Sequence, residues 1–308
     1  MTTGGIAVLV PGGTGQLGRE LVARAPAGVR MHAPGRAELD LTQAGAVIEA
    51  VTALAEQAGA DGLAPIVINA AAYTAVDAAE TDQARAFALN ADGPRVLAAA
   101  CSSHRVPLLH LSTDYVFAGE ADRPYRVTDP VEPRSIYGLT KLAGEDAVLG
   151  SGASGWVVRT SWLYGAYGPN FVRTIIRLAD ERDALSVVDD QRGSPTWTGD
   201  LADGLFELAA RITSGQAPGA RLLHCTNAGE TTWYGFARAV LEELGTDPDR
   251  VRPCKTGDAP RPARRPAYSV LANDSWTEAG LSPLRDWRSA LTEAFPSVEH
   301  QQRAGTHS

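Results

Sequence analysis

The chain reads as an α/β protein: a doubly wound parallel sheet followed by a smaller α/β lobe. Two features carry that reading. Short aliphatic runs alternate with longer amphipathic stretches through the first half, and after residue 160 the loops lengthen and grow richer in Gly and Pro. Strands buried on both faces show continuous apolar runs, and a β-α-β-α rhythm is what right-handed crossovers between parallel strands produce. An α+β protein with segregated elements would not alternate so regularly.

Taken in order, strands are expected at residues 6–11, 29–33, 66–70, 106–112 and 156–159, each β-branched or aliphatic and bounded by Gly, Pro or polar residues. Helices are expected between them at 16–24, 44–58, 83–104 and 136–149. Later helices are expected at 170–182, 199–212 and 233–244, with loops at 213–220 and 253–266. The second loop carries Arg261, Arg264 and Arg265 among its prolines. Residues 1–160 are therefore read as one nucleotide-binding unit. Residues 161–296 are read as mainly a smaller substrate lobe with segments that return to the sheet, and 297–308 as a polar, frayed tail.

Composition narrows the function. The chain has 308 residues, 44% of them hydrophobic and 21% charged, which suits a protein with a real core. Its net charge is −8 and no long basic run occurs, so neither nucleic acid nor an anionic membrane surface is an expected partner. The apolar run at 6–10 is too short for a secretory signal, and nothing approaches the roughly 18 apolar residues of a membrane span. Cys101, Cys225 and Cys254 are scattered and odd in number, which fits a reducing cytoplasm.

Gly12-Gly13-Thr14-Gly15-Gln16-Leu17-Gly18 follows the first expected strand and opens the first expected helix. Glycines at 12, 15 and 18 provide a tight turn, close backbone approach to a pyrophosphate and close helix–strand packing. The helix N-terminus adds partial positive charge. This is the Rossmann-type arrangement, and Gly12, Gly15, Gln16 and Leu17 are assigned to a dinucleotide on that ground. Arg36 stands where NAD-specific enzymes often place an acid; a guanidinium suits a 2′-phosphate, favouring NADPH while leaving NADH open. The competing reading of Arg36 is an ordinary surface arginine. Asp40 and Leu41 either border the adenine, with Asp40 as a hydrogen-bonding group, or Asp40 is a helix N-terminal acid. Asn69-Ala70-Ala71-Ala72-Tyr73 ends the third expected strand; small residues at Ala71 and Ala72 let a cofactor lie against the strand ends, or simply pack closely.

Leu111-Ser112-Thr113-Asp114 falls at the carboxyl end of the fourth expected strand, where open α/β sheets place their chemistry. Downstream, Tyr137 and Lys141 are four residues apart on a helix and so share one face. An ammonium beside a phenol is expected to lower the phenol pKa from about 10, easing proton exchange with a substrate oxygen. Thr113 can orient that oxygen. A lone Tyr-x-x-x-Lys is common by chance; joined to the glycine turn and a strand-end hydroxyl it points to catalysis.

Together Gly12–Gly18, Asn69–Tyr73, Ser112–Thr113 and Tyr137–Lys141 resemble the extended short-chain dehydrogenase/reductases. Further blocks sharpen the resemblance: Asn69 to Asp77, Ser112 to Phe117, Tyr137 to Glu145, Arg159-Thr160-Ser161-Trp162, Asp190 to Thr196, and Arg265-Pro266-Ala267-Tyr268-Ser269. In this order they resemble the dTDP-4-dehydrorhamnose reductase family along nearly the whole chain. The resemblance implies NADPH-dependent reduction of a dTDP-4-keto-6-deoxyhexose at C4. It implies that Tyr137 donates the proton, that Lys141 tunes Tyr137 and holds the nicotinamide ribose, and that Thr113 bonds the carbonyl. Asp114 and Trp162 match positions that touch substrate, and Asn170 resembles part of the segment that contacts the nucleotide diphosphate. The arginine cluster would neutralise that diphosphate, with at least one of its members simply solvated.

Other readings stay open. The sugar could be another dTDP-4-keto-deoxysugar of natural-product glycosylation. Dehydratases resembling this branch usually follow the threonine with Asp-Glu, whereas Asp114 is followed by Tyr115. A partner-binding, non-catalytic protein like the regulatory subunit of methionine adenosyltransferase is the rival from another class. Some family members bind magnesium at a dimer interface; Glu20 and Asp190 echo part of such a set, so magnesium is uncertain and no metal ligand is assigned. His32, His110, His300 and His307 suggest no metal site. A homodimer is a family expectation only.

Overall fold

All five apolar runs share one sheet, and the four inside it carry aliphatic side chains on both faces, which only helices on both sides can bury. A computed structural model describes residues 5–152 and 154–305. It places β1 (Ile6–Leu9), β2 (Val29–His32), β3 (Ala64–Asn69), β4 (Leu108–Thr113), β5 (Gly155–Thr160) and β6 (Leu222–His224) in a single sheet. The order is β6-β5-β4-β3-β1-β2 and every pairing is parallel. Chain direction across the sheet reverses between β1 and β3, so a crevice opens outside their carboxyl ends.

Helices α1 (Gln16–Ala23) and α6 (Thr198–Thr213) cover one face, burying Leu17, Leu21, Leu201 and Leu205 against Val8, Ile66, Ile68 and Val158. The other face is covered by α2 (Ala44–Asp61) and α3, which runs from Gln83–Phe87 through a π-turn at Ala88–Asp92 into Gly93–His104. There Val47, Val51, Leu97 and Cys101 meet Leu9, Val67, Leu108 and Val157. Helix α4 (Ile136–Leu149) packs beside α3 and against β4 and β5. A separate core joins α5 (Phe171–Glu181), α7 (Trp233–Glu243) and α8 (Trp287–Gly305) through Val172, Ile176, Phe236, Val240, Leu291 and Phe295.

The structure differs from the sequence reading in three places. Strand β6 was not individually foreseen, because three residues after a Gly- and Pro-rich loop carry no periodic signal. The loop expected at 253–266 opens instead on strand Val251–Cys254, paired in parallel with Leu185–Val188. The tail expected to fray from Ser297 is helical through Gly305. Ala290, Leu291, Ala294, Phe295 and Val298 recur at helical spacing and are buried, while Arg173 bonds Gln302 and the Gln301 carbonyl. Of the histidines considered above, His307 lies outside the described residues. No described helix is long and apolar enough to cross a membrane.

Candidate active site

The turn after β1 is shaped by what it must leave out. Gly12 has φ +84°, and a Cβ there would lie 2.7 Å from the Ala71 nitrogen. At Gly18 a Cβ would lie 2.3 Å from the Gly12 carbonyl oxygen, so its bareness serves helix–turn packing. Gly15 differs: it is exposed, it is the N-cap of α1, and no side chain caps the helix there. The first N–H groups of α1 therefore face an open cradle fit for a pyrophosphate. Leu17 belongs to that cradle through its backbone alone, since its side chain is buried in the core. Gln16 lies half-buried at its edge, with a buried Oε1 lacking a protein partner.

Beside the cradle lies a cavity of about 340 Å³ that gathers Gly12, Gly15, Arg36, Asp40, Leu41, Ala71, Ala72 and Tyr73, together with Thr14 and Arg85. Positions read separately along the sequence thus line one space of ligand size. Arg36 Nε donates to Asp40 Oδ2 at 3.1 Å, so the guanidinium is held at the rim. Asp40 also accepts from the Thr42 backbone N–H and hydroxyl, and those bonds hold its carboxyl below the ordinary carboxylate range. The N-cap of α2 is Gln43, so Asp40 is not the helix-capping acid; it organises Arg36 and the turn. A larger open recess of about 520 Å³, by Arg123, Arg126 and Asn273, holds none of the predicted catalytic residues.

Thr113 ends β4, and Tyr137 and Lys141 lie on the first turns of α4. That helix start is pinned: Ser135 accepts from the Gly138 N–H, and Ile136 N–H donates to Glu80. A Cβ on Gly138 would lie 2.2 Å from the Tyr115 carbonyl oxygen, so a glycine lets α4 close on the end of β4. Lys141 is buried and its Nζ donates to the Leu111 carbonyl at 2.7 Å. Burial pushes its ammonium down to about 8, with Glu145 opposing the shift. Tyr137 is pushed up to about 12 by burial; the Thr113 hydroxyl opposes that and the Asp114 charge adds to it. The sequence expectation of a lowered phenol pKa is therefore corrected. Desolvation dominates, the Lys141 hydrogen bond goes to β4 instead, and Tyr137 rests with its proton in place.

Asp114 is buried, accepts from the Thr113 hydroxyl at 2.9 Å, and has a second oxygen without a partner. Burial lifts its carboxyl to about 6. Nearby, Trp162 adopts φ +47°, a rare conformation for a bulky residue, and its ring stacks on Trp233 at 3.5 Å. A Cβ on Gly193 would lie 2.4 Å from the indole, so the short strand Arg192–Gly193, paired with Thr231–Thr232, and Trp233 together fix Trp162. Asn170 has a structural role: its Oδ1 caps α5 at the Arg173 N–H, and its Nδ2 donates to the carbonyls of Gly165 and Gly168, which commits both donors and leaves one lone pair on Oδ1. Among the arginines, Arg265 pairs with Asp77 at 2.9 Å and acts on Tyr115 beside Tyr137. Arg264 pairs with Glu120, and Arg261 is largely exposed.

Some contributors escaped the sequence reading. Asn90, in the π-turn of α3, accepts from the Tyr73 N–H and donates to the Tyr73 carbonyl and to Thr140. Thr140 in turn donates to the Tyr137 carbonyl. One amide thereby ties the loop at Tyr73 to the start of α4. The available signal was Gly93-Pro94 inside an expected helix, which marks a local interruption. Trp233 was read only as a helix start. Glu20 bonds Thr198, and Asp190 bonds Thr256, so the two acids considered for magnesium have separate partners. Among the described residues no group of three or more His, Cys, Asp or Glu converges on a metal position.

This geometry has close parallels. The family model described as "RmlD substrate binding domain" matches residues 6–299. A dTDP-4-dehydrorhamnose reductase of Streptomyces griseus is 51% identical over 292 residues, 94% of this chain and 93% of that one. A probable dTDP-4,6-dihydroxy-2-methyloxan-3-one 4-ketoreductase of Streptomyces antibioticus is also 51% identical, over 94% of this chain and 95% of its own. Among solved structures, the dTDP-4-dehydrorhamnose reductase of Bacillus anthracis in complex with NADP superposes with TM-score 0.87 at 32% identity, covering 94% of this chain and 99% of that one. A family model over most of the chain, relatives at 51% identity and a matching fold place it: the chain belongs to the dTDP-4-dehydrorhamnose reductase family.

Proposed function

We propose that this protein reduces the 4-keto group of a dTDP-4-dehydro-6-deoxyhexose with NADPH, taking dTDP-4-dehydrorhamnose to dTDP-rhamnose. The observation that carries this reading is Tyr137 beside Thr113 at the carboxyl end of β4, on a helix tied through Asn90 to the wall of the nucleotide cavity. The glycine cradle and the 340 Å³ cavity fit a dinucleotide, with Arg36 at the rim to meet a 2′-phosphate. Bound there, NADPH supplies the hydride that reaches C4 of the sugar.

The chain's own residues then do the rest. Tyr137 holds a proton at Oη and gives it to the developing C4 alkoxide, the role of a general acid. Thr113 orients the same oxygen. Lys141, fixed to β4, carries the positive charge that compensates the phenolate left behind and binds the nicotinamide ribose. Asp114 offers its free oxygen to a sugar hydroxyl, and Trp162 presents apolar surface to the deoxysugar. Residues 1–160 serve the cofactor and 161–296 mainly the sugar nucleotide. Cytoplasmic location and a homodimer complete the reading, and no step is routed through magnesium.

Relatives named for different dTDP-keto sugars make the sugar the finest point. The test is NADPH oxidation by the purified protein with a panel of dTDP-4-keto-6-deoxysugars, followed by assignment of C4 configuration in the product. Fastest turnover of dTDP-4-dehydrorhamnose to dTDP-rhamnose is expected. Faster turnover of another keto-sugar transfers the activity to that substrate, and tight NADPH binding with no turnover on any of them would establish the partner-binding role instead.

A further inference from the structure

Beneath the reaction site lies an ion pair that the chemistry above leaves unused. Arg159, on β5, donates from Nε to Glu145 Oε1 at 2.8 Å and from Nη2 to Oε2 at 2.6 Å, and both side chains are 2% exposed. Ser112, on β4, donates its hydroxyl to the same Oε1. Burying two charges carries a large desolvation cost, and an apolar pair of similar volume is often as stable. Stability alone is thus a weak reason for the pair.

Its position gives a stronger one. Glu145 stands one turn beyond Lys141 on the same face of α4, as Lys141 stands one turn beyond Tyr137. Lys141 is hydrogen-bonded to Leu111 of β4, next to Ser112, so β4 is bonded to both Lys141 and Glu145. We propose that Glu145, clamped by Arg159 and Ser112, is a positioning residue for Lys141, anchoring the catalytic helix to β4 and β5 and supplying the counter-charge that keeps the lysine cationic. The proposal rests on the reductase reading.

The surroundings leave Glu145 that task. On β4, His110 is buried, and burial together with the charge of Lys141 keeps its ring neutral. Asp114, beyond the end of β4, is raised by burial to about 6 and so is ionised from neutral pH upward, but the charge that acts on Lys141 is that of Glu145. On α4, Tyr137 rests protonated. From β5, Arg159 is a cation whose charge is answered by Glu145. Glu145 therefore carries the negative charge that supports Lys141 against desolvation.

The test is the pH dependence of NADPH affinity, read by fluorescence titration of the full chain from neutral to alkaline pH. Wild type should lose affinity with a midpoint near 8, and Lys141→Met should show no such midpoint. Glu145→Gln should move the midpoint down by about one pH unit or more, a tenfold change in the ratio of cationic to neutral lysine. Arg159→Gln should move it up, because the carboxylate then answers to the lysine alone. A purely structural pair would lower the melting temperature in both variants while leaving the midpoint in place, and that result overturns the proposal. Should Glu145→Gln fail to fold, the direction of the Arg159→Gln shift decides. A wild-type protein that binds no NADPH at any pH sinks the reductase reading and this proposal together; a wild-type midpoint with unmoved variants sinks this proposal alone.

Discussion

Arg36 and Lys141 show how single charges carry the functional reading. Arg36 spends its Nε on Asp40, which leaves the terminal nitrogens of the guanidinium to meet a phosphate from the cavity rim. Arg36→Ala should reduce the preference for NADPH over NADH by about tenfold, the scale of one charge-assisted contact, as measured by the ratio of kcat/KM values. Unchanged selectivity would assign the 2′-phosphate to other residues. Lys141 makes the opposite point about stability. Its ammonium is pushed down to about 8 by burial, so the folded protein bears a cost at every pH below that, fading as pH rises from 8 toward the ordinary lysine value. Lys141→Met should therefore melt higher than wild type at neutral pH, by about 1–3 kcal/mol in unfolding free energy, while losing its reductase activity. A lower melting temperature would show that the Leu111 bond outweighs the desolvation.

Helix ends and turns decide which side chains are available for chemistry. Asn170 is the clearest example, because its side chain caps α5 and staples the loop at Gly165 and Gly168. Asn170→Ala should cost about 1–2 kcal/mol of stability by urea unfolding and leave the KM for the sugar nucleotide within about threefold of wild type. A large KM rise at unchanged stability would restore it as a ligand contact. The same elements show what was legible in advance. Strands β1, β3, β4 and β5 and helix α4 announced themselves because apolar runs and helical spacing are local signals, and the glycine turn was readable because backbone approach demands glycine. The local environment was not readable. Nothing in Tyr137-x-x-x-Lys141 says that desolvation sets the phenol while the lysine bonds Leu111, that Asn90 reaches both Tyr73 and Thr140, or that Trp233 lies against Trp162. These depend on contacts between residues far apart in the chain.

The whole molecule buries titratable groups on both sides of neutrality, and they give its stability an acid limb. His224 is buried with Nδ1 on the Ala272 carbonyl, and burial, aided by Arg159, pulls it down to about 3; His110 is lowered as well. An unfolded chain takes these protons more readily, so their contribution is complete above the ordinary histidine pKa of about 6.5 and is lost as pH falls toward the folded values. Asp114 works in reverse, since its raised carboxyl favours the folded state as pH falls below about 6. Glu20 and Asp200 are raised by burial as well, whereas Asp40, Asp129 and Asp190 are lowered and, like the histidines, lose their contribution on acidification. Two histidines and three lowered carboxyls against three raised ones predict a net loss of stability as pH falls. His224→Asn should flatten the slope by about 1.4 kcal/mol per pH unit below pH 6.5, measured by urea unfolding; an unchanged slope would mean that His224 is not held neutral. The central claim, however, is that one half-buried phenol donates the proton that completes carbonyl reduction. Its most direct test is Tyr137→Phe assayed with dTDP-4-dehydrorhamnose, with NADPH affinity measured on the same preparation. The account predicts a loss of about 10²–10⁴ in kcat with NADPH affinity near that of wild type. Turnover within about tenfold of wild type would contradict it, because a catalyst that keeps its rate without that hydroxyl draws its proton from elsewhere.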